Sequence, residues 1–362
     1  MSSSNFSIFG TLFSQSSRKP KWTSTKYCLN QKASCFDISP DGSFFLIGED
    51  NGQLVTLCIS NGELIVSDTY KRHQSRITDI AFNPTADLIA TCSNENKIEL
   101  SSFRADLSKS DNRRISMSMN EPVRALTFME DLANRSNILF SGTGRQICVT
   151  DCSSGTTFRI LKGHKGMVTA LCTWGGCLFA SSSTDKTIRI WDTRVIEAVR
   201  VFDPLVKSGG IFFEMYSFGR QESHTEHITV HNSPNIFSPT GAFHVDGSGQ
   251  ILVRGDGSGE AHVYDTSSAK KIISKRITTL PISCLRIANS QRFMAVADEK
   301  RISLCDLRDV LQIPESSYVA KCSRKCLVLK WHPIKQLFVT LDNESALNLW
   351  QLEQEESYTT DD

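Results

Sequence analysis

An all-β protein, a ring of seven four-stranded blades forming a single domain, is predicted by three observations. One segment spells out short alternating strands parted by tight turns. Six further segments align with it, at spacings that fit one blade each. A single excess in those spacings marks one loop insertion, between the fourth and fifth blades. The fold class is therefore a seven-bladed β-propeller.

The unit is clearest in Gly163 to Arg194, GHKGMVTALCTWGGCLFASSSTDKTIRIWDTR, which ends its third strand on Trp191 and Asp192. Alignment on Trp191 places equivalent positions at Leu57, Ser101, Thr150, Tyr264, Cys305 and Trp350. The spacings are 44, 49, 41, 73, 41 and 45 residues. The value of 73 is one period carrying about 30 extra residues.

Each repeat supplies its own strands. The first reads SCFDISPDGSFFLIGEDNGQLVTLC, with turns at Pro40-Asp41-Gly42 and Asn51-Gly52. The second is ITDIAFNPTADLIATCSNENKIELSSF. The third, PVRALTFMEDLANRSNILFSGTGRQICVTDC, has a longer loop between its first two strands. The fifth is AFHVDGSGQILVRGDGSGEAHVYD, the sixth ISCLRIANSQRFMAVADEKRISLCD and the seventh CLVLKWHPIKQLFVTLDNESALNLW. No stretch competes as a long amphipathic helix.

A ring of sheets must close, since an open gap leaves two edges unpaired. The segment KWTSTKYCL, Lys21 to Leu29, precedes the first repeat and can supply the missing outer strand of the last blade. Trp22 to Leu29 is expected to pair with the strand ending at Trp350. The organisation is then a serine-rich disordered arm (1–20), the propeller (21–352, with the insertion at about 205–238) and an acidic tail (353–362).

Composition narrows the function. Lys and Arg number 40 against 39 Asp and Glu, a net charge of +1, so no field favours nucleic acid or an anionic membrane. No basic start leads into an apolar stretch, and no run of 18 apolar residues occurs, so neither secretion nor membrane insertion is expected. The 12 cysteines include the near pairs Cys148/Cys152, Cys172/Cys177 and Cys322/Cys326, none with two-residue spacing. They read as small buried hydrophobes in a reducing, cytoplasmic setting.

His164, Ser181, Asp185 and Trp191 together offer the residue types of a hydrolase triad. Their spacing instead resembles the structural tetrad of WD-repeat proteins, in which indole, hydroxyl, imidazole and carboxylate form one hydrogen-bonded chain. Other repeats keep fragments, such as His73 with Thr91. No phosphate loop, nucleophile elbow or HExxH motif occurs, and the Gly-rich stretch from Gly247 to Gly259 fits strand turns. No catalytic residue and no cofactor is expected.

The insertion gathers His224, His227 and His231, with His244 just beyond. H-x2-H-x3-H without Cys or carboxylate partners is weak evidence for zinc, and no metal is expected. Its first half, GGIFFEMYSFG, carries Phe212, Phe213, Tyr216 and Phe218, a residue type enriched at interface hot spots. Two readings stay open: a strand or hairpin packed on the propeller, and a partner contact at the mouth of the central channel.

From Asn120 to Val201 the chain resembles the C-terminal WD-repeat domain of the nemitin family of neuronal microtubule-associated proteins. NEPVRALTFMED, VTDCSSG (Val149 to Gly155) and LKGHKGMVTALCTWGGCLFASSSTDKTIRIWDTR carry the resemblance, TWGGC (Thr173 to Cys177) most specifically. Weaker similarity runs through the first two repeats and the last. The LisH and CTLH modules of that family have no counterpart here. The resemblance implies a cytoplasmic scaffold whose partners are other proteins, tubulin or microtubule regulators among them; without those modules a monomer is expected. Trp191-Asp192-Thr193-Arg194 also resembles the WDxR box by which WD-repeat substrate receptors dock on the cullin-4 ubiquitin ligase adaptor, with Asp192 and Arg194 as the docking pair.

Overall fold

Short apolar runs, alternating with polar residues in outer strands such as Arg114–Ser118 and Thr156–Lys162 and continuously buried in inner ones such as Leu337–Asp342, produce strands throughout the computed structural model, which describes residues 22–60, 63–103, 114–130, 137–203, 242–307, 318–321 and 324–352. Strand β1 (Trp22–Cys28) comes first. Blade 1 is β2 (Ala33–Ile38), β3 (Phe44–Glu49), β4 (Gln53–Ser60) and β5 (Glu63–Lys71). Blade 2 is β6 (Ile77–Phe82), β7 (Leu88–Ser93), β8 (Lys97–Ser102) and β9 (Arg114–Ser118). Blade 3 is β10 (Val123–Phe128), β11 (Ile138–Thr143), β12 (Gln146–Asp151) and β13 (Thr156–Lys162). Blade 4 is β14 (Val168–Thr173), β15 (Leu178–Ser183), β16 (Ile188–Asp192) and β17 (Ala198–Phe202). Blade 5 is β18 (Phe243–Val245), β19 (Ile251–Gly255), β20 (Glu260–Asp265) and β21 (Lys271–Arg276). Blade 6 is β22 (Cys284–Ile287), β23 (Phe293–Ala297), β24 (Arg301–Asp306) and β25 (Tyr318–Lys321). Blade 7 is β26 (Cys326–Trp331), β27 (Leu337–Asp342) and β28 (Ala346–Leu352), completed by β1.

All seven sheets are antiparallel, six as simple meanders and blade 7 closed by β1, and the first strand of each blade packs against that of the next until β26 returns to β2. All seven positions aligned on Trp191 fall in third strands. The closing strand pairs as the edge argument requires, from Trp22 opposite Leu352 to Cys28 opposite Ala346. Leu29 lies just beyond it and donates its N–H to the Ser345 carbonyl at 3.0 Å. Trp22 is buried against Phe293, Trp331 and Phe338, so the closure is clamped by one large side chain.

The core lies between blades. Ile38, Phe45 and Leu57 of blade 1 cluster with Leu337, Val339 and Leu347 of blade 7, and equivalent layers recur around the ring. The innermost strands also carry a repeated irregularity. Blades 1, 2, 3, 4 and 7 each have a register shift at the start of the first strand, as between Ala33 and Cys35 or Ile77 and Asp79. Two of the extra residues carry hydroxyls that reach the next blade. Ser34 donates to the Ile77 carbonyl at 2.5 Å, and Thr78 donates to the Val123 carbonyl at 2.8 Å.

The cysteines follow the expected role with exceptions. The 11 among the described residues are free, most of them buried, whereas Cys28 is exposed because β1 is an outer strand. The serine-rich arm, the insertion and the acidic tail lie outside the described residues.

Candidate protein-interaction site

Blade 4 brings His164, Ser181, Asp185 and Trp191 together. Trp191 Nε1 donates to Ser181 Oγ at 2.7 Å, Ser181 lies 2.7 Å from His164 Nε2, and His164 Nδ1 lies 2.9 Å from Asp185 Oδ2. Burial disfavours the Asp185 charge, but hydrogen bonds from His164, Thr187 and the Lys165 N–H outweigh it and hold the carboxyl well below its usual range. Ser181 and His164 are sealed from solvent, so no substrate reaches the hydroxyl. The chain satisfies buried polar groups, and Trp191 stacks on Phe179 beneath it.

Blade 2 holds more than the fragment legible in its sequence. His73 Nε2 lies 2.8 Å from Thr91 Oγ1, and its Nδ1 lies 2.8 Å from Glu95. Glu95 stands four residues after Thr91, as Asp185 stands four after Ser181; the longer carboxylate side chain hid the match. Blade 7 keeps the indole end, Trp350 Nε1 donating to Thr340 Oγ1 at 3.0 Å, and pairs Glu344 with Arg324.

The innermost strands form a polar ring. Asp37 accepts from the Phe82 N–H at 2.9 Å, Asp79 accepts from the Leu126 N–H at 2.8 Å, and Arg286 donates to the Phe243 carbonyl at 3.2 Å. Lys330 meets Asp37 at 2.6 Å. Burial pushes the Asp79 carboxyl up to about 6, although the Lys330 charge opposes the rise. Burial, with the Arg286 charge, pushes His244 of β18 down to about 3.

The face where first strands turn into second strands has a different character. Thr173 donates to Glu130 of the preceding blade at 3.1 Å, and Trp174 lies over Gly249 of the following one. Here Asp192 and Arg194 form a two-pronged ion pair, Nη2 to Oδ2 at 2.7 Å and Nε to Oδ1 at 2.9 Å, with the Arg194 side chain 74% exposed. Arg194 is thus held by Asp192 while its side chain stays open to solvent. Exposed apolar side chains lie beside the pair on blade 4: Leu178, opposite Asp192 in register, and Val195 and Ile196 just after Arg194. Arg159 of β13 donates to the Thr193 carbonyl and ties blades 3 and 4 together.

Among the described residues, one group brings metal-ligand atoms close together: Asp256, Glu260 and His262, within 4.8 Å of one another. Asp256 and His262 are already bonded to each other there. Phe212, Phe213, Tyr216 and Phe218, with His224, His227 and His231, lie outside the described residues.

Comparison with known proteins agrees with this geometry. The family model described as WD40, "WD domain, G-beta repeat", matches residues 64–100 and 155–192. The chain carries WD40 repeats. The matched stretches of this WD40 propeller end on the third strands of blades 2 and 4, where a buried histidine–hydroxyl–carboxylate chain sits at the turn.

The chain is 26% identical over 179 residues to the human WD repeat and FYVE domain-containing protein 2, covering 47% of this chain and 42% of that protein. The mouse protein of the same name is 25% identical over the same length. The p21-activated protein kinase-interacting protein 1-like of Danio rerio is 22% identical over 304 residues, 82% of this chain and 69% of the relative. The match spans less than half the length of the human and mouse relatives.

Proposed function

We propose that this WD40 propeller is a non-catalytic protein-interaction scaffold that acts in the cytoplasm on microtubules or their regulators. One observation carries the scaffold reading. Leu178, Val195 and Ile196 are exposed on blade 4 beside a fixed ion pair, the mixture of apolar contact area and oriented charge that protein partners use. A relative named as interacting with a p21-activated kinase supports protein partners in general. The resemblance of Asn120 to Val201 to a microtubule-associated family supports the cytoskeletal direction. Co-sedimentation of the purified chain with microtubules at physiological salt tests it, beside Ile196→Asp and a form lacking 205–238. Pelleting that Ile196→Asp abolishes places the contact on this face of blade 4; a folded chain left in the supernatant rejects direct microtubule binding.

A second reading rests on the Asp192–Arg194 pair, which presents a rigid guanidinium beside apolar Val195 and Ile196. It makes the protein a substrate receptor of a cullin-4 ubiquitin ligase. Co-purification of the adaptor, lost on Arg194→Ala, supports this reading, and a clean pull-down without adaptor removes it.

A further inference from the structure

Blade 5 holds a third histidine-centred chain, and this one opens to solvent. Asp256, in the turn between β19 and β20, is buried. Its Oδ1 accepts from the Ser258 and Glu260 N–H groups at 2.9 Å and from the Ser258 hydroxyl at 2.7 Å. That leaves Oδ2 for His262 Nε2, 3.1 Å away. His262 Nδ1 lies 2.8 Å from the hydroxyl of Ser274, which stands directly opposite on β21. Ser274 is exposed, whereas the hydroxyls ending the equivalent chains, Thr91 and Ser181, are fully buried.

The proton positions follow from the chemistry of the groups. Burial works against the Asp256 charge, but the hydrogen bonds of Ser258, Glu260 and His262 outweigh it and keep the carboxyl ionised. An ionised carboxylate only accepts, so the imidazole proton sits on Nε2 and the Nδ1 lone pair faces Ser274, whose O–H donates. An imidazole fixed in this tautomer is a general base for the hydroxyl it meets. β21 is the outermost strand of its sheet, so a reagent approaches Ser274 from open solvent. Glu260, Arg276 opposite it on β21, and Arg254 opposite His262 on β19 are the charged neighbours; Arg276 donates to the Ser258 carbonyl at 3.1 Å.

We propose that Ser274 is a nucleophilic hydroxyl, a modification site that accepts the acyl group of activated esters and thioesters. Ser274 Oγ bonds to the acyl carbon as His262 Nδ1 takes the hydroxyl proton. The bond from that carbon to the leaving oxygen or sulfur breaks, the leaving group takes the electron pair, and His262 returns the proton to it or to solvent. Asp256 is a positioning residue: it holds the tautomer and touches no substrate.

The test uses p-nitrophenyl acetate on the full chain, with nitrophenolate release and peptide mass mapping as readouts. Ser267, exposed and bonded to Asp265 at 2.6 Å rather than to an imidazole, is the internal reference. Acetylation at Ser274 is expected to outrun that at Ser267 at least tenfold, and to fall to the Ser267 rate in His262→Asn. In Asp256→Asn the side-chain amide donates to Nε2 and moves the ring proton to Nδ1. Imidazole nitrogen NMR shifts report that move, with Ser274 acetylation lost alongside it. Equal rates at Ser274 and Ser267 in the wild type, a comparison that needs no variant to fold, overturn the proposal.

Discussion

Lys330 Nζ lies 2.6 Å from Asp37 Oδ1, joining the innermost strand of the last blade to that of the first. The pair spans 293 residues of sequence and closes the inner ring where β1 closes the outer one. Both side chains are largely withdrawn from water, so the attraction is screened less than at a surface. Lys330→Met is expected to lower stability by about 1–3 kcal/mol in urea unfolding. A double-mutant cycle with Asp37→Asn isolates the coupling, and a coupling near zero would deny the pair any part in closure.

The blade 4 chain gives a second expectation. Ser181→Ala removes the atom that joins Trp191 to His164 and leaves a buried N–H without an acceptor. A loss of about 2–4 kcal/mol is expected from the unsatisfied groups. Thr340→Val, which strands only the Trp350 N–H, should cost about 1–3 kcal/mol. Thermal unfolding of both variants checks the order.

His244 makes stability depend on pH. Its folded-state pKa, about 3, lies below the ordinary 6.5, so the unfolded chain binds the proton more tightly. The contribution is present above 6.5 and is lost as pH falls towards 3. Asp79, raised to about 6 from 3.8, acts in the opposite sense, gaining stability as pH falls through that window. Comparing wild type with His244→Asn cancels the Asp79 contribution. Between pH 7 and pH 5 the wild type should lose about 2 kcal/mol more than the variant in urea midpoints; parallel profiles would contradict this.

Two glycines separate backbone strain from contact. Gly249 has φ +72° and an added Cβ would lie 2.2 Å from Trp174 Nε1, whereas Gly176, at φ +68°, has open space around it. Gly176→Ala should cost about 1 kcal/mol, the backbone penalty alone. Gly249→Ala should cost about 2–3 kcal/mol and shift the Trp174 fluorescence, because the indole must move as well.

Much of this was legible in the amino-acid order, because the signals are local. Alternation of side chains defines a strand within its own residues, and a turn declares itself through Asn51-Gly52 or Pro40-Asp41-Gly42. The period on Trp191 counted the blades, and the edge argument paired Trp22 with the end of the chain. Other relationships lie between segments that no spacing rule links. Lys330 finds Asp37 across the ring, and Ser274 meets His262 from the neighbouring strand. The sequence by itself determined the number of blades, their strands and how the ring closes, since each rests on periodicity and unpaired edges. Only the tertiary structure decided which of three histidine–hydroxyl chains is sealed and which faces water. Burial depends on what the neighbouring blade covers, and register, not residue type, sets that.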